Sequence, residues 1–169
     1  MMKEINWVDD FEGDEDFAII DTPIAKFGIY SKGNVLIKED WVLDGIRPRL
    51  PETAFLANIQ QQISRFWQAP LLFSSIAMRR PGTVHRIKVL EALFRIPVGE
   101  TRTYADLAAI LDSSPRAVGG ACRNNPFPLL IPCHRVVSAS GLGGYAGETE
   151  GDLVGIKQKL LAYEAAWMQ

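Results

Sequence analysis

Apolar and polar positions alternate at two different periods along the chain. Between residues 17 and 38 they come in short β-type runs, at 17–21, 26–31 and 35–38. Lys32-Gly33-Asn34 separates the last two runs with residues that tolerate positive φ, so the pattern predicts a hairpin. From residue 53 to 67 the period changes. Phe55, Leu56, Ile59, Ile63, Phe66 and Trp67 fall at helical spacing, with Thr53 placed to cap the first turn. Residues 69–82, with Pro70 and Pro81, read as a linker. A second helical run follows, with Val84, Ile87, Leu90, Leu93 and Phe94, and Ile96-Pro97-Val98-Gly99 ends it.

The next segment carries sharper punctuation. Thr103-Tyr104-Ala105-Asp106 has the form of a capping box with Asp in place of Glu, opening a helix to about residue 111. Asp112-Ser113-Ser114 makes a tight turn, after which Ser114 suits an N-cap and Pro115 a first helical position. Two short helices across such a turn are a helix-turn-helix signature. The second of them contains Gly119 and Gly120, each costing about 1 kcal/mol relative to alanine inside a helix. A face of Ala117, Gly119, Gly120 and Ala121 allows close approach, to a neighbouring helix or to a DNA groove, and Arg116 at its start suits a surface position or a probe into stacked bases. In a last helix, Ile156, Leu160, Tyr163 and Trp167 line one face.

Composition narrows the class. The chain has 169 residues, 47% of them hydrophobic, which is ordinary for a globular protein of one large or two small domains. No apolar run reaches the roughly 20 residues of a membrane span, and the acidic N-terminus does not resemble a signal peptide. With only Cys122 and Cys133, a disulfide scaffold is not expected and a reducing, cytoplasmic location is. Neither these cysteines nor His85 and His134 have a zinc-site spacing. Net charge is −2, but residues 1–16 hold seven acids against one base, a local −6, which leaves +4 on the other 153 residues. These first 16 residues read as a mobile acidic tail. Seven basic residues, Arg116, Arg123 and Arg135 among them, outnumber four acidic ones between residues 86 and 135, as a local phosphate-binding face would require.

The chemistry concentrates at Ile131-Pro132-Cys133-His134-Arg135. A cysteine nucleophile reacts as the thiolate and needs a base, a cation or a helix N-terminus nearby. Neighbours on an extended strand point to opposite faces, so a kinked backbone or a bridging water has to link Cys133 to His134. By itself a cysteine is more often a small core residue.

Pro132-Cys133-His134-Arg135-Val136-Val137 resembles the active-site signature of the 6-O-methylguanine-DNA methyltransferases. The segments around it are similar in order: 96–104 before the helix-turn-helix, Arg116-Ala117-Val118-Gly119-Gly120-Ala121 as recognition helix, Asn125-Pro126 and Pro128 as hinge, Gly144-Tyr145-Ala146-Gly147 as substrate loop, and Leu160-Leu161-Ala162-Tyr163-Glu164 as closing helix. The similarity spans about residues 83–166. It implies Cys133 as alkyl acceptor, His134 as its base through a water, and Glu164 orienting the histidine. Tyr104, Asn125, Tyr145 and Ala146 would bind the substrate. Arg116, Ala117, Gly119, Gly120, Arg123 and Arg135 would bind DNA, with Arg116 filling the gap left by a flipped base. Glu148-Thr149-Glu150-Gly151-Asp152 is longer and more acidic than the family's pattern after the substrate loop.

The resemblance implies an α+β fold, with a small α/β N-terminal domain over 1–80 packed on a mostly helical, winged-helix-like domain over 81–169 that contains the helix-turn-helix. It further implies a single-turnover repair protein acting as a monomer on double-stranded DNA containing alkylated guanine, without cofactor, metal or membrane, and leaves activity on 4-O-methylthymine open. Three other readings compete. A lesion sensor of the same lineage would lack the cysteine, which is present here. A thiol hydrolase would use Cys133, His134 and Glu164. A purely regulatory helix-turn-helix protein would bind DNA without catalysis, but the relatives that regulate carry an additional cysteine-rich metal-binding domain, which two cysteines do not supply.

Overall fold

The expected β-runs form an antiparallel meander, β2 (Glu15–Ile20), β3 (Lys26–Lys32) and β4 (Val35–Val42), in a computed structural model that describes residues 4–70, 73 and 75–169. The β3–β4 connection is a two-residue loop, with Lys32 opposite Val35 and Gly33 at φ 54°, a conformation glycine adopts at little cost. The chain falls into two units, residues 1–80 and 81–169, and the fold is α+β.

Two expectations for the first unit are corrected. The first 16 residues are not wholly a tail. Asn6–Val8 forms β1, Asp9 pairs with Arg80 at 2.9 Å, and Asp16 is buried. The Asp16 carboxylate accepts from the amides of Glu52 and Thr53, from the Thr53 hydroxyl and from Arg49. Burial raises its pKa, and these donors more than reverse that. The 69–82 segment is likewise more than a linker, although residues 71, 72 and 74 lie outside the described residues. Ala77–Arg79 forms β5, which pairs in parallel with both β1 and β4 and gives the sheet order β1-β5-β4-β3-β2. Strands of three residues are too short to show a period, and β1 and β5 exist because each pairs with a segment distant in sequence.

Helix α1 (Ala54–Gln68) starts where the Thr53 hydroxyl accepts from the Leu56 amide. It buries Leu56, Ile59, Ile63 and Phe66, each contributing about 1.5–3 kcal/mol of gross transfer free energy.

In the second unit, α2 (Val84–Phe94) is capped by Thr83. Helix α3 (Tyr104–Ile110) carries the full capping box, with Thr103 bonded to the Asp106 amide and Asp106 bonded back to the Thr103 amide. It closes at Asp112, φ 50°, with the Ser113 amide reaching back to the Ala108 carbonyl at 2.9 Å, the hydrogen bond of a Schellman motif. Helix α4 (Pro115–Arg123) then begins at its Ser114 cap. Strands β6 (Arg102–Thr103) and β7 (Val136–Val137) pair in parallel and bring the entry to α3 beside the segment that follows Cys133. Helix α5 (Asp152–Trp167) buries Ile156, Lys157, Leu160 and Glu164, while Trp167 is 49% exposed. The inward face is therefore rotated from the expected Ile156–Leu160–Tyr163–Trp167 stripe, because it carries two charged groups that hydrophobic periodicity does not register. Among the described residues no helix is long and apolar enough to cross a membrane.

Candidate active site

Pro132 ends the approach to the site at φ −79°, and Cys133–Arg135 then forms one 3-10 turn. The extended geometry that would separate Cys133 from His134 is thus replaced by a kink. Asn125 secures the segment before it, donating to the Ile131 carbonyl at 2.9 Å and accepting from the Phe127 amide at 2.9 Å. A short polar side chain can close such a loop on its own backbone, which places Asn125 at the hinge.

Cys133, His134 and Arg135 are all buried, His134 completely. The His134 Nε2 lies 2.7 Å from Glu164 Oε1. A carboxylate only accepts, so Nε2 carries the proton and donates. Burial is the main cause that lowers the His134 pKa, outweighing the pull of Glu164, and the ring is neutral. Nδ1 is then the unprotonated nitrogen, and it is buried with no hydrogen-bond partner among the described residues. Burial acts to raise the Glu164 pKa, but hydrogen bonds from His134 and Arg135 hold it down at about 2. The arrangement is a fixed carboxylate, a tautomer-locked imidazole and a thiol, the set that activates a nucleophile.

Arg135 belongs to this network and corrects the expectation of a DNA contact. The residue is 5% exposed, and its guanidinium donates to both oxygens of Glu164 at 2.8–3.2 Å and reaches the Ile96 carbonyl at 2.7 Å. A carboxylate ionised at 0% exposure needs a paired cation, and that need fixes Arg135 inward.

Cys133 lines a cavity of about 320 Å³ shared with Tyr104, Arg116, Arg123, Tyr145 and Ala146. The Tyr104 ring lies between α4 and the substrate loop. A Cβ on Gly119 would stand 4.0 Å from it, and one on Gly143 3.2 Å. Burial first, then electrostatic coupling to Cys122 and Cys133, pushes the Tyr104 phenol up to about 12, which keeps it protonated as a donor. The loop is a two-residue turn. Tyr145 and Glu148 exchange backbone hydrogen bonds at 2.8 and 2.9 Å around Ala146 (φ 49°) and Gly147 (φ 88°), the positive φ pair of a type I′ turn. Arg123 donates to the Gly147 carbonyl at 3.3 Å and so ties α4 to the turn.

The outer face of α4 presents Arg116, Ala117, Gly120 and Arg123 to solvent, while Val118, Ala121 and Cys122 face inward. Nothing lies within 4 Å of a Cβ built on Gly120. Of the two explanations for these glycines, a neighbouring helix therefore does not account for Gly120.

Three features escape the motif reading. Cys122 lines the cavity from α4, and Glu148 and Thr149 from the acidic loop. Lys157 is fully buried and bonds the carbonyls of Val136 and Gly144. A lysine on the same helical face as Leu160 and Glu164 was a signal available in the sequence.

Comparison with known proteins gives a consistent result. The family described as 6-O-methylguanine DNA methyltransferase, DNA binding domain, matches residues 85–166. A methylated-DNA–protein-cysteine methyltransferase of Metallosphaera sedula is 43% identical over 145 residues, covering 86% of this chain and 90% of that protein. The constitutive enzyme of the same name from Bacillus subtilis is 41% identical over 118 residues, 66% of this chain and 72% of its own. The crystal structure of the Mycobacterium tuberculosis O6-methylguanine methyltransferase superposes with a TM-score of 0.76 at 30% identity, over 90% of this chain and 94% of that one. Another, of Mycobacterium tuberculosis OGT in complex with DNA, gives 0.75 at 31% identity over 89% and 93%. Sequence over both units, overall fold and the order of motifs around Cys133 agree, and the chain belongs to the 6-O-methylguanine-DNA methyltransferase family.

Proposed function

We propose that this protein repairs double-stranded DNA by taking the alkyl group from the 6-oxygen of an alkylated guanine onto Cys133, once per molecule. The observation that carries this reading is the neutral, buried His134. It is held at Nε2 by Glu164 and leaves Nδ1 to receive a proton, beside a thiol that opens on a cavity.

The steps follow from these groups. The Cys133 thiol passes its proton through a water to Nδ1, and Glu164 stabilises the imidazolium. The thiolate attacks the alkyl carbon. The S–C bond forms as the C–O bond breaks, its electron pair goes to the guanine oxygen, and the restored guanine regains a ring proton. Tyr104, kept protonated, donates a hydrogen bond to the purine during this charge development. A thioether has no easy route back to a thiol, so one turnover is expected. The alkyl carbon cannot meet Cys133 while its base is stacked, so the nucleotide must turn out of the duplex, at a cost of a few kcal/mol. The exposed, slim face of α4 suits a narrow groove, where readout is degenerate and phosphate contacts supply much of the affinity. A monomer suffices, since one chain carries every group named.

The test is intact-protein mass spectrometry after incubation with a duplex containing 6-O-methylguanine. A stoichiometric gain of about 14 Da, one methyl replacing one hydrogen, on the peptide bearing Cys133 is expected from the transfer chemistry. Selective binding of the lesion with no gain would mean a sensor. Neither gain nor binding would return Cys133 to a hydrolase or to the core.

A further inference from the structure

The mechanism above gives the second cysteine no task. Cys122 lies in the last turn of α4, is buried, and lines the cavity that Cys133 also lines. Both are free thiols. A short chain of hydrogen bonds ties their backbones together. The Cys122 carbonyl accepts from the Asn125 amide at 3.2 Å. The Asn125 side chain donates to the Ile131 carbonyl at 2.9 Å, and the same carbonyl accepts from the Cys133 amide at 2.8 Å.

One thiol is enough for an alkyl group that is inert once transferred. A two-carbon group with a leaving group X on its far carbon is not inert. Transfer leaves Cys133 as S–CH2–CH2–X. Its own sulfur expels X as an anion and closes a three-membered sulfonium ring, which alkylates any nucleophile in reach. Water would give a hydroxyethyl thioether, and a DNA base would give a protein–DNA cross-link.

We propose that Cys122 is a second acceptor thiol, which closes such bifunctional alkyl groups into a dithioether bridge with Cys133 and so keeps them from the DNA.

The step balances without an oxidant. The Cys122 sulfur attacks a ring carbon, the bond from that carbon to the sulfonium sulfur breaks, and its electron pair returns to Cys133. The Cys122 proton passes to water. Overall one C–X and one S–H bond become one C–S bond and HX. Two groups held in one cavity react at effective molarities that water in bulk does not match. The order of events also follows from the surroundings. Burial first, then the charge of Cys133, raise the Cys122 pKa, while Lys157 pulls it the other way. Cys122 therefore stays a thiol during the first transfer. Afterwards the thiolate of Cys133 is gone, the ammonium of Lys157 remains, and the sulfonium adds a second cation that favours ionised Cys122.

The probe is 1,2-dibromoethane, applied to the parent and to Cys122→Ser, which keeps the size of the side chain and loses its nucleophilicity. Trypsin cuts after Arg123, between the two cysteines. A bridge therefore appears as a linked pair of peptides 117–123 and 124–135. In the parent, chains alkylated at Cys133 are expected to gain about 26 Da, one C2H4 for two hydrogens, and to yield the linked pair. In Cys122→Ser they should gain about 44 Da, a hydroxyethyl group, with the bridged fraction falling by about tenfold or more. Cys122→Ala replaces the serine variant should that one fail to fold. A parent that gives only the hydroxyethyl product would overturn the inference. So would a 26 Da gain that survives in the variant, because another side chain, such as Glu148 in the cavity wall, would then be the trap.

A duplex containing 6-O-(2-chloroethyl)guanine tests the protective half. Covalent protein–DNA complexes on a denaturing gel should be about tenfold more abundant with Cys122→Ser than with the parent, and equal yields would overturn that half. The inference rests on Cys133 as the alkyl acceptor, and the two fail separately. Dibromoethane needs no DNA, so a linked pair without methyl transfer from duplex sinks the repair reading alone. Methyl transfer without a linked pair sinks the role of Cys122 alone.

Discussion

At the residue scale the site is organised around one anion. Glu164 is buried, orients His134 and is paired by Arg135. Its carboxyl is held at about 2 in the fold against an ordinary 4.5. A carboxylate with a lowered folded pKa contributes stability that is fully present above its unfolded value and is lost as pH falls through the folded one. The window runs from about pH 4.5 down to about 2, and at about 1.4 kcal/mol per pH unit it is worth about 3 kcal/mol. Asp16 and Asp106, also lowered, titrate alongside it, so the informative quantity is a difference. Glu164→Gln should be less stable than the parent at pH 7 by about 3 kcal/mol, and urea midpoints should show that gap shrinking towards pH 2. A gap that stays constant over the window would show that Glu164 is not ionised in the fold. The same variant removes the negative charge that stabilises the imidazolium and leaves one acceptor oxygen for His134 and Arg135 to share, so methyl transfer should slow at pH 7 even where the protein is folded.

At the scale of elements, α4 is shaped for something outside the molecule. Two glycines in a nine-residue helix cost about 1 kcal/mol each, and Gly120 has open space where its Cβ would be. Gly120→Ala is expected to raise stability by about 0.5–1 kcal/mol while weakening duplex binding several-fold, as chemical denaturation and a fluorescence titration with lesion-free duplex would show. A gain in stability with unchanged affinity would remove this face from the DNA contact. The caps of this region were readable in advance, because Thr103, Asp106, Ser114 and Pro115 act within one turn of themselves. The β2–β4 meander and α1 were readable for the same reason, each having a period several residues long. What escaped was non-local. Strands β1 and β5 are three residues each and owe their existence to partners about 70 positions away. Arg135 looked like one more cation in a basic stretch, and only the position of Glu164, 29 residues on, turns it inward. Lys157 was passed over because an apolar-face count skips a lysine, although its place on the face of Leu160 and Glu164 is visible in the sequence.

At the scale of the whole molecule, the proposed repair reaction poses the question of how a buried thiol meets a base inside a duplex. Arg116 stands in the first turn of α4, is exposed, and lines the same cavity as Cys133. A side chain there can enter the space a base vacates while the base occupies the cavity. It would then offset part of the few kcal/mol of unstacking without touching the chemistry. Arg116→Ala should therefore slow repair of 6-O-methylguanine in duplex by about 10- to 100-fold, the equivalent of about 1.4–2.8 kcal/mol. Its reaction with free 6-O-benzylguanine, which needs no flipping, should change by no more than about twofold by the same reasoning. The salt dependence of binding separates this role from a phosphate contact. Loss of one phosphate contact weakens binding to any sequence and lowers the log–log slope by about 1. A gap filler leaves the slope alone and affects only the step that exposes the lesion. An equal loss of rate on duplex and free base would place Arg116 in the pocket wall instead. A lowered slope with uniform weakening would place it on the backbone. A loss confined to duplex with an unchanged slope is the outcome expected of the proposed gap filler, since Arg116 is exposed on α4 and also lines the cavity.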